Sequence, residues 1–103
     1  MSNPIAVDQV FAALADDTRR QLLDTLAGLG DASASTLTRH SAISRQAIAK
    51  HLVILHDAGL VSKSRHGREV RYRVEPQHMA ATGRWLQRMA RRYETVGAEL
   101  LKP

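Results

Sequence analysis

Arg45, Gln46 and Lys50 open a segment, residues 45–57, whose other face is aliphatic, and these are side-chain types that read base edges in a DNA groove. A guanidinium can bond guanine O6 and N7 together, and a carboxamide can pair with adenine N6 and N7. Lys50, one helical turn further on, can reach a base or a phosphate. Ser44 is the expected N-cap, and its hydroxyl with the unpaired N–H groups of the helix start suits a phosphate oxygen. His51 completes this expected set. Beyond it, Arg65, His66 and Arg68 crowd around Gly67, where they could hold phosphates or an adjacent minor groove. Lys63, Arg71 and Arg73 add charge nearer the base of the same segment, with Glu69 expected to pair with a neighbour.

Hydrophobic periodicity shows what must position these groups. Ile5, Val7, Val10, Phe11 and Leu14 predict an amphipathic helix over about 5–15. Thr18 and Gln21 match a capping box for a second helix, with Leu22, Leu23, Leu26 and Leu29 on its apolar face and Gly28 and Gly30 ending it. A short third helix is expected from Ser33 or Ser35, burying Leu37, then a turn at 41–43. In the fourth helix, about 45–57, Ile48, Leu52 and Leu55 form the core stripe, and Gly59 is the stop. Val70, Tyr72 and Val74 alternate with Arg71 and Arg73, which predicts one strand of a hairpin spanning 60–74 with its turn at Gly67. After Pro76, a last helix over 77–101 carries Leu86, Met89, Tyr93, Val96 and Leu100 at steps of three and four, a coiled-coil seam broadened by Trp85. With Phe11 of the first helix, that seam is the expected two-fold dimer interface. The predicted fold is therefore mostly α with a small β-hairpin wing, a winged helix-turn-helix in the order α-α-α-α-β-β-α. It forms a single domain over 1–103, with the helix-turn-helix at 33–57 and dimerisation helices at 5–15 and 77–101.

Composition bounds the partners. The 103 residues carry a net charge of +5, unevenly spread. Residues 44–73 hold seven Lys/Arg against two acids and residues 77–102 hold five against two, whereas residues 1–43 hold three against five. Clustered cations point to a polyanionic partner. With no cysteine there is no disulfide, thiolate metal site or thiol switch. No apolar run is long enough to span a bilayer, and the N-terminus lacks the pattern of a secretion signal. The expectation is a soluble cytoplasmic protein with no membrane partner.

Enzyme chemistry finds no support. Asp16 and Asp17 belong to a helix start, and neighbouring residues on a helix do not face each other. Ser44 and His51 share one helix with no strand-turn-helix elbow framing the serine. There is neither a phosphate-binding glycine loop nor a zinc-protease pattern. RNA is disfavoured because the basic region has almost no aromatic groups to stack on bases. The competing reading is a winged-helix module for protein contact or nonspecific nucleoid binding. Double-stranded DNA remains the expected partner, bound by a homodimer.

Three ordered motifs strengthen this. Leu14-Ala15-Asp16-Asp17-Thr18-Arg19-Arg20-Gln21-Leu22-Leu23 resembles the opening of the ArsR-type winged helix-turn-helix repressors. Ser44-Arg45-Gln46-Ala47-Ile48-Ala49-Lys50-His51-Leu52 resembles their recognition helix, and Leu55-His56-Asp57-Ala58-Gly59-Leu60-Val61 their passage into the wing. The resemblance covers residues 8–100. It implies a homodimeric transcription factor, usually a repressor, on an inverted-repeat operator that is often in its own promoter. Family members that sense soft metals place a Cys-x-Cys segment before the turn, where this chain has Thr36-Leu37-Thr38-Arg39-His40. Zinc and nickel sensors place Asp and His along the last helix, where this chain has only His78. Residues 76–86 are similar to members without an obvious metal site, so neither a metal nor a cofactor is expected, and the effector stays open.

Overall fold

The computed structural model describes residues 7–102. Helix α1 (Val7–Leu14) leads into α2 (Asp17–Leu29), then a two-residue strand β1 (Ala32–Ser33), α3 (Ala34–Arg39), α4 (Arg45–Asp57), β2 (Val61–His66), β3 (Glu69–Val74) and α5 (Gln77–Leu100). The helical order and the hairpin match expectation. Ile5, assigned to the first helix, lies outside the described residues. Strand β1 was not anticipated. It makes the wing a three-stranded antiparallel sheet in the order β1-β3-β2, with Ala32 opposite Tyr72 and Ser33 opposite Arg71. Two residues are too short to show a period of two.

The core is one aliphatic cluster. Val10 and Ala13 of α1, Leu22, Leu23 and Leu26 of α2, Leu37 of α3, and Ile48, Leu52 and Leu55 of α4 meet Leu60 and Val61 at the entry to the wing. Tyr72, Val74 and Met79 pack on its edge. Leu29, expected on the apolar face of α2, is 41% exposed and stands outside the core. It lies at the end of the helix, beyond the last buried turn.

Capping explains where the helices begin and end. Asp16, not Thr18, caps α2: its carboxylate accepts the Arg19 backbone N–H at 3.0 Å. Gln21 donates instead to Asp17 at 2.8 Å, so no capping box forms. Gly28 lies inside α2, and Gly30 is its C-cap. Ser33 and Ser44 cap α3 and α4 by accepting the N–H groups of Thr36 and Ala47. At the end of α4 the Leu60 N–H donates to the Leu55 carbonyl and the Gly59 N–H to the His56 carbonyl, both at 2.9 Å. This is a Schellman motif, with Gly59 at φ +74 in the left-handed conformation that an L side chain resists. A Cβ there would also lie 2.8 Å from His78 Nδ1. Leu55 and Leu60, which the motif brings together, are both fully buried.

The hairpin turns through Gly67 and Arg68, between His66 and its partner Glu69. Positive φ at the first loop residue alone, Gly67 at +65, is the pattern of a type II′ turn. At the base of the wing, Ser62 donates to Glu75 at 2.9 Å. The Thr82 hydroxyl, buried near the start of α5, has no partner among the described residues.

Asp16 titrates below the usual carboxylate range, chiefly because the Arg19 N–H bonds its charged form, with the Arg19 and His51 charges helping. A carboxyl whose pKa is lowered on folding contributes stability in full above its unfolded pKa. That contribution disappears as the pH falls through the folded value. Asp16→Ala is therefore expected to lower Tm at neutral pH, with the gap to wild type closing below about pH 4. Scanning calorimetry from neutral to acid pH measures this, and a gap that persists in acid would mean the cap acts without its charge.

Candidate nucleic-acid interface

Helix α4 is divided lengthwise. Ile48, Leu52 and Leu55 are buried, while Arg45, Gln46, Ala49, Lys50 and Val53 are exposed. Gln46, Lys50 and Val53 follow at i, i+4 and i+7, so they form one outward row, with Arg45 and Ala49 beside it. None of the Arg45, Gln46 and Lys50 side chains has a hydrogen-bond or ion-pair partner among the described residues, and no acidic residue sits in the first turn of α4. The positive end of the helix dipole is thus not neutralised by a neighbouring acid. The Ser44 oxygen is occupied in capping, but its hydroxyl proton remains available to an acceptor.

The wing rises beside this row. Its register places Lys63 opposite Tyr72 and Arg65 opposite Val70. Both cations therefore share the face whose inner end, Val61 opposite Val74, enters the core. Arg65, His66 and Arg68 are exposed at the tip, where Ser64 Oγ lies 2.9 Å from His66 Nε2. Arg45, His66, Arg68, Glu69 and Tyr72 line a common open cleft of about 500 Å³, together with Ser35 of α3. The structure thus brings the start of α4 and the wing tip, distant in sequence, to the rim of one groove.

Arg71 and His51 are tied elsewhere. Arg71 is bound by Glu69 at 2.8 Å and lies 3.7 Å from Asp31, and these acids, Glu69 first, raise its pKa further. His51 is half-buried on the flank of α4, with Nδ1 3.4 Å from Arg19 Nη1. Arg19 also donates to the α1 carbonyls of Ala13 and Ala12 at 2.7 and 3.0 Å. A guanidinium has no acceptor, so His51 Nδ1 is the acceptor and a neutral ring carries its proton on Nε2. His51 therefore joins α4 to the α1–α2 corner and stands apart from the Arg45–Gln46–Lys50 row. Sequence reasoning counted Lys63 among the hairpin cations without placing it at the site; strand register was the missing signal. Val53 was legible from its spacing to Gln46 and Lys50.

Away from this surface, α5 packs chiefly on α1, where the Phe11 and Trp85 rings meet edge to face at 6.1 Å. The expected seam is bare. Phe11 and Leu86 are 41% and 49% exposed, Tyr93 and Val96 more than half, and Leu100 80%, while Met89 is half-buried. Among the described residues no three metal-ligating side chains converge, and no helix is long and apolar enough to cross a membrane.

Comparison with known proteins agrees with this layout. A helix-turn-helix domain model matches residues 14–63. An ArsR-like transcriptional regulator from Rhodococcus sp. RHA1 superposes with a TM-score of 0.85 at 41% identity, covering 91% of this chain and 88% of that one. The transcriptional repressor SdpR of Bacillus subtilis is 35% identical over 80 residues, 78% of this chain and 88% of its own. The HTH-type regulator YuzN of the same organism is 45% identical over 73 residues, 65% and 76% of the two chains. The chain belongs to the ArsR family. As an ArsR-type winged helix-turn-helix regulator it is a DNA-binding transcription factor and not an enzyme.

Within this ArsR-type frame the wing cations differ in how much of their charge is free. Arg68→Gln is expected to weaken binding to random-sequence duplex and to reduce the salt dependence by roughly one unit of slope. Arg71→Gln should change the slope clearly less, because Glu69 and Asp31 already compensate that charge. Anisotropy titrations over a range of salt compare the two, and equal changes would place Arg71 on the DNA.

Proposed function

We propose that the chain is a homodimeric, sequence-specific repressor that binds an inverted-repeat operator, its own promoter being one such target. The observation that carries this reading is the outward row of Arg45, Gln46 and Lys50, unpartnered and set beside a cationic wing tip. In it, α4 enters the major groove, Arg45 and Gln46 read base edges, and Ser44 with the wing residues Arg65, His66 and Arg68 holds the backbone. Lys50 reaches a base or phosphate one turn further along. Lys63 joins the wing contacts, and His51 acts by packing.

What α5 leaves exposed supports the dimer. The radius of gyration is 17.5 Å and the longest extent 66 Å, whereas a compact domain of this length has a radius near 13 Å. Helix α5 projects with Leu86, Met89, Tyr93, Val96 and Leu100 along one stripe, and Phe11 lies beside its first half. A second copy burying the same stripe against its own satisfies both apolar surfaces through a two-fold axis. The same axis presents two α4 helices to half-sites about one helical turn apart. The repressor in Bacillus subtilis supports the sign of regulation by similarity.

Selection from a randomised duplex pool tests the reading head and should enrich a two-fold symmetric sequence. Arg45→Ala should then cost roughly 1–3 kcal/mol and relax preference at one base pair per half-site. Unchanged discrimination would remove Arg45 from the site, and failure to enrich any sequence would favour a nonspecific nucleoid or protein-contact module. For the interface, the double variant Leu86→Asp, Met89→Asp is expected to elute as a monomer on a calibrated sizing column. A persistent dimer would move the interface off α5.

A further inference from the structure

Helix α5 has a second face. Arg84, Arg88, Arg91 and Arg92 follow at i, i+4, i+7 and i+8, so they form one stripe about 12 Å long on the side away from Leu86, Met89 and Tyr93. All four are exposed, and none has an ion-pair partner among the described residues. Lys102, just past the end of the helix, is by contrast paired with Glu99 at 3.1 Å. Like charges three and four residues apart destabilise a helix, and no acid among the described residues pairs with this array.

We propose that this arginine face is a second, sequence-independent site for a DNA phosphate backbone, so that protein seated on one duplex through α4 holds another through α5. The inference rests on the proposed reading head for engagement of the first duplex. Position separates the two sites. Helix α5 packs chiefly on α1, and it is α1 that packs on α2 and α4, so the arginine helix is joined to the reading helix by way of α1. Charge is unevenly spread too: the segments 44–73 and 77–102 are both basic, whereas the first 43 residues carry more acids than bases. A single duplex in the groove beside α4 satisfies only the first pole. Guanidinium groups suit phosphate oxygens through paired N–H donors, and the stripe has four of them with no lysine between. On a long DNA molecule, the segments linked to the one held at α4 are present at raised local concentration, which favours DNA over an acidic protein as the second ligand.

The test compares the full chain with the variant Arg84→Gln, Arg88→Gln, Arg91→Gln, Arg92→Gln, in which glutamine preserves helix propensity. Circular dichroism and sizing confirm that the variant folds and keeps its assembly state. Anisotropy on a selected duplex reads the α4 head, and affinity should stay within about twofold of wild type because the stripe is remote from it. Beads carrying long random-sequence duplex, loaded with equal amounts of either protein, are then offered free labelled duplex. The wild type should capture it, the variant about tenfold less, with capture lost at high salt. Equal capture by both proteins would overturn the proposal, since two α4 heads of one dimer could then account for bridging. No capture by the wild type would overturn it as well. If that protein instead binds phosphatidylglycerol vesicles or polyglutamate through the four arginines, the face belongs to a membrane or an acidic protein. Arginine-dependent capture by a wild type without sequence preference would retire the reading head and leave this site standing.

Discussion

Burial of Ile48, Leu52 and Leu55 beneath α4 is the constraint on which the rest of the molecule depends. Once those three side chains are committed to the core, the remaining face of the helix must look outward, and Arg45, Gln46 and Lys50 have nowhere else to point. Leu60 extends the constraint beyond the helix. The Schellman motif at Ala58-Gly59-Leu60 turns the chain while bringing Leu60 onto Leu55, so the wing leaves the core in a direction tied to α4. The angle between reading helix and wing is therefore a property of the aliphatic core. A residue with a Cβ at position 59 would disturb that angle from inside, through backbone strain and contact with His78.

The polar contacts around this core follow a division of labour. Arg19, Asp16 and His51 spend their hydrogen-bonding capacity on the corner where α1, α2 and α4 meet. Arg71 is neutralised by Glu69 and Asp31 at the sheet. The cations left without partners lie on the α4 row, at the wing and along α5. Charge that is compensated internally rigidifies the scaffold, whereas uncompensated charge stays available to an outside polyanion, with a strength that depends on salt.

Much of this was legible because it depends on local chemistry. The helix periods, the Ser44 cap, the Gly59 stop, the Gly67 turn and the division of faces on α4 are each set by residues within a few positions of one another. The expected Thr18 cap failed for a local reason as well: Asp16, two positions earlier, is the stronger capping residue of the two, and the match to a capping box passed over it. Strand β1 was not legible, since Ala32 and Ser33 become a strand only because β3 passes beside them. The same holds for His51, whose sequence position on the reading helix gives no sign of Arg19 reaching it from α2.

The sequence by itself determined the family, the order of helices and hairpin, and the polar outer face of α4, because periodicity, caps and turns are short-range. Tertiary structure alone decided which cations are free and which are tied, that Arg45 and the wing tip border one groove, and that α5 leaves an apolar stripe and an arginine stripe both uncovered. Those outcomes depend on distances between segments far apart along the chain, and such distances are settled only when the aliphatic core closes and brings the segments into register.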